Sequence, residues 1–159
     1  MTEKNVAKIR ITIRPYRDED WEDMCSIHDR ARLDELRGSV DPAAFLPLAS
    51  TAEPEGLFAG DVWVACAEER VVGFVAAEDD EITWLYVHPD HYRCGIGRRL
   101  LRYAVERCGP VVTTQALAGN TPAIELYTSE GFEVAQTLTG KLSGNQRFPA
   151  TGVELQLQK

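Results

Sequence analysis

The chain has 159 residues, 44% of them apolar, and a formal net charge of −8 at pH 7. That length supports a single domain spanning 1–159, with a core large enough to need no disulfide or metal staple. The acidic balance excludes the broad cationic face that nucleic acid requires, and no run approaches the roughly 18 apolar residues of a membrane span.

The opening Met-Thr-Glu-Lys-Asn has no apolar stretch of the kind a secretion signal carries. Cys25, Cys66, Cys94 and Cys108 form no Cys-x-x-Cys and no paired spacing. That argues against a zinc site or disulfide framework and for a reducing cytoplasm. The expectation is a cytoplasmic protein with no metal.

Residues 9–14 alternate in polarity and predict a strand, ended by Pro15. Asp18 opens a helix that carries Trp21, Met24, Cys25 and His28 on one face. Acids crowd the stretch from Asp18 to Asp41, including Asp20, Asp29, Asp34 and Glu35. They read either as a solvated helix face or as an attraction for a cationic substrate. Residues 38–60 read as loop, with Pro42, Pro47 and Pro54 interrupting apolar pieces around Phe45, Leu46, Leu57 and Phe58. These four side chains suit an apolar lid or plain core packing. Residues 62–67 and 71–77 predict two strands joined by a tight turn at Glu68-Glu69-Arg70. A second turn follows at residues 77–80, and residues 81–87 predict a third strand.

That strand runs into Arg93-Cys94-Gly95-Ile96-Gly97-Arg98 and then into an amphipathic helix over 97–108. A glycine-rich loop at a helix N-terminus aims backbone N–H groups at one point, and the helix adds partial positive charge. A pyrophosphate fits there, and a Cβ at the glycines would obstruct it. The loop is no P-loop, because Gly-Lys-Ser/Thr is missing. It is no dinucleotide fingerprint either, because Leu100 stands where a third glycine belongs. Gly109-Pro110 stops the helix. Residues 111–117 predict another strand, followed by a helix of one to two turns capped by Asn120 or Thr121 and closed by Gly131. Residues 133–142 and 153–157 predict a terminal antiparallel pair. The order β-α-loop-β-β-β-α-β-α-β-β describes an α/β (α+β) domain, a mixed, mainly antiparallel twisted sheet of about seven strands with helices on both faces.

Two motifs together, V-H-P-x-x-x-x-x-G-I-G-x-x-L-L at 87–101 and N-x-x-A-I-x-L-Y-x-x-x-G-F at 120–132, resemble the GNAT superfamily of acyl-CoA-dependent N-acetyltransferases. The resemblance covers residues 60 to 135. The family's loop usually opens with Gln or Arg three residues before its first glycine; here Tyr92 holds that slot and Arg93 stands one place late. The resemblance implies that the strand ending at Val87 and the strand beginning near Val111 splay apart. It implies a pantetheine arm lying in that opening, paired with backbone groups of Leu85, Tyr86 and Val87 and held by Asn120. It further implies a pyrophosphate on Arg93, Cys94, Gly95, Ile96, Gly97 and Arg98, with acetyl-CoA as co-substrate and an amine as acceptor. Homodimers are frequent in the superfamily.

Acyl transfer from a thioester to an amine needs a neutral amine, a stabilised oxyanion and a proton for the leaving thiolate. No cysteine–histidine or serine–histidine pair is evident, so direct attack in a ternary complex is the simpler route. By resemblance, Tyr127 is the proton donor to the leaving sulfur and also borders the cofactor; by packing alone it is a helix tyrosine against the sheet. Glu81, at the start of the strand that reaches the thioester, is the candidate base, with His28 the runner-up and ordered water an alternative. Trp84 and Tyr86 line an acceptor pocket or pack beneath the helices. Cys94 is a thiol at a helix N-terminus or a side chain turned away. The leading expectation is acetylation of a small cationic amine or peptide. Acetylation of protein N-termini or lysines is an alternative, and a non-catalytic acyl-CoA sensor is another.

Overall fold

The computed structural model describes residues 10–159. Seven strands form one sheet: β1 (Ile11–Pro15), β2 (Asp61–Ala67), β3 (Arg70–Glu78), β4 (Glu81–Val87), β5 (Val111–Leu117), β6 (Glu133–Leu142) and β7 (Asn145–Gln158). Their spatial order is β1-β2-β3-β4-β5-β7-β6. All neighbours are antiparallel except β4 and β5. Four helices complete the fold: α1 (Trp21–Leu36), α2 (Leu48–Thr51), α3 (Ile96–Glu106) and α4 (Thr121–Ser129).

The predicted elements recur with three corrections. The 38–60 segment is not all loop: Pro42–Ala44 forms a 3-10 turn and α2 a single turn of helix that buries Leu48. Pro47 sets the chain direction before α2, where its missing N–H costs nothing. Helix α4 has nine residues rather than one to two turns. The terminal pair is longer than the apolar alternation suggests, because β7 runs from Asn145 to Gln158 and pairs with β5 as well as β6. Ile9, at the start of the first predicted strand, lies outside the described residues.

The turn between β3 and β4 places both Asp79 and Asp80 at positive φ, 48° and 63°. Two left-handed residues make the hairpin turn whose twist matches the flanking strands. Strand β3 reads as an unbroken apolar run because both its faces are covered. Val72, Val75 and Ala77 pack with Leu100, Leu101 and Ala104 of α3. Val71, Phe74 and Ala76 pack with Met24 and Ile27 of α1 and Leu48 of α2. Acidic Asp20 is no solvated member of the acid-rich run. It is buried and accepts two hydrogen bonds from Arg14, at 2.7 and 2.8 Å.

A third, smaller cluster joins Leu36 and Ala44 to Leu142, with Val40, Phe45, Leu117 and Phe148 around it. The α1–α2 connection therefore straps across to the β5–α4 loop and the β6–β7 hairpin. The Asn145 amide clamps it by donating to the Ala44 carbonyl at 3.1 Å. At its closest point a Cβ on Gly119 would stand 2.3 Å from the Gly38 carbonyl oxygen and 2.6 Å from Ser39 Oγ. Gly119→Ala should therefore push the strap outward and cost about 1–3 kcal/mol, the usual penalty for overpacking. A lowered urea midpoint with an unchanged slope checks this.

Candidate active site

The sheet opens at its centre. Strands β4 and β5 pair only at Glu81–Thr113 and Ile82–Thr114, after which the two parallel strands separate. The Thr114 hydroxyl donates to the Ile82 carbonyl at 2.9 Å and closes the base of the split. Beyond it, one edge of Leu85, Tyr86 and Val87 has no strand partner across the gap.

The register adds a feature that periodicity does not show. On β4, Trp84 faces Ala76 while Ile82 faces Ala77, which leaves Thr83 as an extra, bulged residue. A bulge re-aims the side chains on either side of it. Ile82, Leu85 and Val87 pack toward α3, whereas Trp84 and Tyr86 pack toward α1. Glu81 thereby shares the α1 face with Trp84 and Tyr86 instead of opposing them. It looks across β5 to Glu154 and sideways to Glu78. Burial first, then the charges of Glu154 and Glu78, raise the Glu81 carboxyl above its ordinary pKa. Glu154 was not singled out from the sequence, although the alternation Val153-Glu154-Leu155 already puts it opposite the apolar face.

Tyr127 comes from the other face. It is 6% exposed, on α4, with its ring 5.6 Å from that of Phe132. Burial raises its pKa, and a hydrogen-bond interaction with Thr114 opposes that only in part. The phenol therefore stays protonated at neutral pH. The candidate acid and the candidate base flank the split from opposite sides of the sheet.

The loop after β4 ends in the left-handed region twice, at Arg93 (φ 60°) and Gly95 (φ 78°). Nothing lies within 4 Å of a Cβ built on Gly95, so its glycine answers to backbone conformation, with open space before it. Among the described residues, the N–H groups of Arg93, Cys94 and Gly95 have no hydrogen-bond acceptor. With the free N–H groups of the first turn of α3, at Ile96 and Gly97, they form an anion cradle. A pyrophosphate fits this cradle.

Arg93 is exposed at its rim. Arg98 is not free there: its guanidinium donates to Ser129 Oγ at 2.9 Å and pairs closely with Glu130, which also holds Arg102 at 2.8 Å. The sequence places Arg98 beside the loop but gives no sign of this α4 partner. Cys94 is exposed and its Sγ turns back to the Tyr92 carbonyl at 3.5 Å. Asn120 caps α4, its Oδ1 accepting from Ala123 N at 3.4 Å.

A groove of about 1620 Å³ joins cradle, split and α1 face. Drug-sized ligands take roughly 300–1,000 Å³, so the groove has room for an extended donor and an acceptor together. His28 borders it, 3% exposed, with Nδ1 bonded to Asp29 at 2.9 Å. Burial lowers its pKa and outweighs Asp29, so the imidazole is neutral. Its ring stands edge-on to Tyr86 at 5.0 Å. Tyr86 donates to Glu35 at 3.0 Å, and Arg32 pairs with the same carboxylate. Among the described residues no group of three metal-ligating side chains stands together, and no helix is long and apolar enough to cross a membrane.

A sheet split between two parallel strands, with an anion cradle where the first of them enters a helix, is the architecture of a GNAT-type acetyltransferase. A profile of the acetyltransferase (GNAT) domain matches residues 59–134. The peptidyl-lysine N-acetyltransferase YjaB of Escherichia coli (strain K12) is 31% identical over 131 residues, which cover 78% of this chain and 83% of that protein. UPF0157 protein YqkA of Bacillus subtilis is 33% identical over 96 residues, 54% of this chain, and the match spans only 28% of that longer protein. Among solved structures, yncA from Salmonella typhimurium, determined with its cofactor acetyl-CoA, superposes with a TM-score of 0.66 at 24% identity, covering 93% of each chain. The chain belongs to the GNAT family and is an acetyltransferase, with the fold and enzyme class that the two motifs imply.

Proposed function

We propose that the chain transfers the acetyl group of acetyl-CoA directly to a primary amine held on the α1 face of the sheet, and that a lysine side chain is the acceptor. The single observation that carries this is the split beyond Ile82–Thr114, which leads from the anion cradle through the sheet into an acid-lined groove. Glu78, Glu81 and Glu154 suit a cationic amine, while Trp84 and Leu138 offer apolar surface to its methylene stem. The lysine preference draws on YjaB, the relative named as a peptidyl-lysine N-acetyltransferase.

The co-substrate supplies the activated acyl group as a thioester. Backbone N–H groups from Arg93 to Gly97 hold its pyrophosphate, and the free edge of Leu85–Val87 pairs with its pantetheine amides. Asn120 closes on the same arm. Glu81, directly or through water, takes a proton from the acceptor ammonium, and the neutral nitrogen forms the C–N bond. The C–S bond breaks as Tyr127 gives its proton to the departing thiolate, and the second N–H proton, shed as the new amide forms, passes through water to restore the phenol. No acyl-enzyme is required.

The test is acetyl-CoA turnover, read as thiol release, on a lysine-containing peptide panel and on free diamines. Turnover of peptides that depends on the residues flanking lysine supports the protein-acetylating form. Equal turnover of free amines favours a small cationic acceptor. Acetyl-CoA binding with no acceptor-dependent thiol release favours a sensor. Glu81→Gln refines the assignment. A base must be ionised to act, so the wild-type rate should rise with pH through the raised Glu81 pKa. In the variant that acidic limb should vanish, while the alkaline limb due to the acceptor amine remains. A limb unchanged in Glu81→Gln removes Glu81 as the base.

A further inference from the structure

Helix α1 touches two sites with two neighbouring stripes. His28, Arg32 and Glu35 border the acceptor groove. Arg30 and Asp34, on the adjacent stripe, reach the loop between β4 and α3, and Asp34 also lines the groove. Arg30 bonds His88 Nε2 at 2.8 Å and Asp90 at 3.4 Å. The Tyr92 hydroxyl donates to Asp34 Oδ2 at 3.1 Å.

The rest of the loop is thinly held. Its 3-10 turn (Pro89–His91) is closed by His91 N to the His88 carbonyl at 2.8 Å and Tyr92 N to the Pro89 carbonyl at 3.2 Å. After Tyr92 no backbone bond forms until Arg99 N reaches the Gly95 carbonyl at 3.1 Å. Between these points Arg93 and Gly95 both have positive φ. Among the described residues, the Tyr92–Asp34 bond is the one side-chain hydrogen bond that ties residues 92–95 to another element. A cradle made of backbone N–H groups binds well only if its conformation is fixed before the anion arrives, since ordering it on binding costs affinity.

We infer that Tyr92 is a positioning residue that fixes the anion cradle against α1, so that the wall of the acceptor groove sets the affinity for the donor. This rests on the reading of the cradle as the pyrophosphate site of acetyl-CoA. Tyr92 stands in the slot where the resemblance leads one to expect Gln or Arg, and its phenol reaches outward to α1 instead of toward a phosphate.

The test is calorimetric titration of acetyl-CoA into wild type, Tyr92→Phe, Asp34→Ala and the double variant, with turnover of S-acetylpantetheine in parallel. Each single variant should bind acetyl-CoA about five- to tenfold more weakly, the range expected for losing one hydrogen bond to a charged partner that is partly exposed. The double variant should bind no more weakly than the worse single, because both remove one bond. Turnover of S-acetylpantetheine, which has no pyrophosphate, should be the same in all four proteins at saturating acceptor. Wild-type affinity in Tyr92→Phe overturns the inference, as do losses that multiply in the double variant or fall equally on S-acetylpantetheine. Failure of wild type to bind acetyl-CoA at all overturns the donor reading and the inference with it.

Discussion

Tyr127→Phe should lower kcat about a hundredfold, the usual contribution of a positioned general acid, while KM for acetyl-CoA stays within about twofold of wild type. The ring packs between Phe132 and the sheet, and Phe keeps those contacts. The variant therefore loses the proton and little else. Burial holds the phenol pKa above its ordinary value of about 10. A group with a raised pKa keeps its proton through the working range, so Tyr127 should impose no falling limb on the rate below about pH 10. Steady-state thiol release across pH on both proteins checks each part. A loss below threefold with KM unchanged would leave Tyr127 as a packing residue and shift proton delivery to water. The Thr114 side chain bears on the same point. It closes the base of the split with its bond to Ile82 and offsets part of the burial that raises the phenol pKa.

What the sequence discloses here and what it withholds divide along a physical line. Local chemistry was legible. Gly131 ends α4 at a left-handed position, Asn120 caps the same helix, Pro47 and Gly109-Pro110 punctuate, and strand β3 is apolar along its interior. Each of those readings uses residues within a few positions of one another. The pairing of distant residues was not legible. The bulge at Thr83 exists only in the register of β4 against β3, and it decides which face Glu81 occupies. Glu154 lies one strand away from Glu81, across β5, only because β7, the last strand of the chain, inserts next to β5. Likewise Arg98 looks free in a line of sequence, yet Glu130 lies 32 residues away and pairs with it in space. The acid-rich stretch near the N-terminus suggested a cationic acceptor. The groove draws acids from both sources, Asp34 and Glu35 from α1 and Glu78, Glu81 and Glu154 from β3, β4 and β7.

Gly95→Glu should abolish measurable acetyl-CoA binding while leaving the protein folded. Two effects add. The residue sits at φ 78°, where a side chain costs roughly 1–2 kcal/mol that glycine does not. A carboxylate there also faces the doubly charged pyrophosphate at short range. At 4 Å and an effective dielectric of 20, each pair of unit charges repels by about 4 kcal/mol, enough alone for a loss beyond a hundredfold. The space before Gly95 is empty, so the new side chain displaces no packed neighbour and the fold survives. Gly95→Ala separates the two effects, since it carries the strain without the charge and should bind within about tenfold of wild type. Gly97→Ala extends the comparison. Its Cβ would lie 3.6 Å from Leu126 Cδ2 and from Val87 Cγ2, ordinary contact that the core tolerates, so any loss of affinity there reports crowding of the anion and not of the protein. Calorimetry on the three variants, with thermal melts to establish folding, ranks them. The order Gly95→Glu weakest, then Gly95→Ala, with all three folded, is what an anion cradle built from backbone requires. Undiminished binding in Gly95→Glu would move the pyrophosphate off this loop altogether.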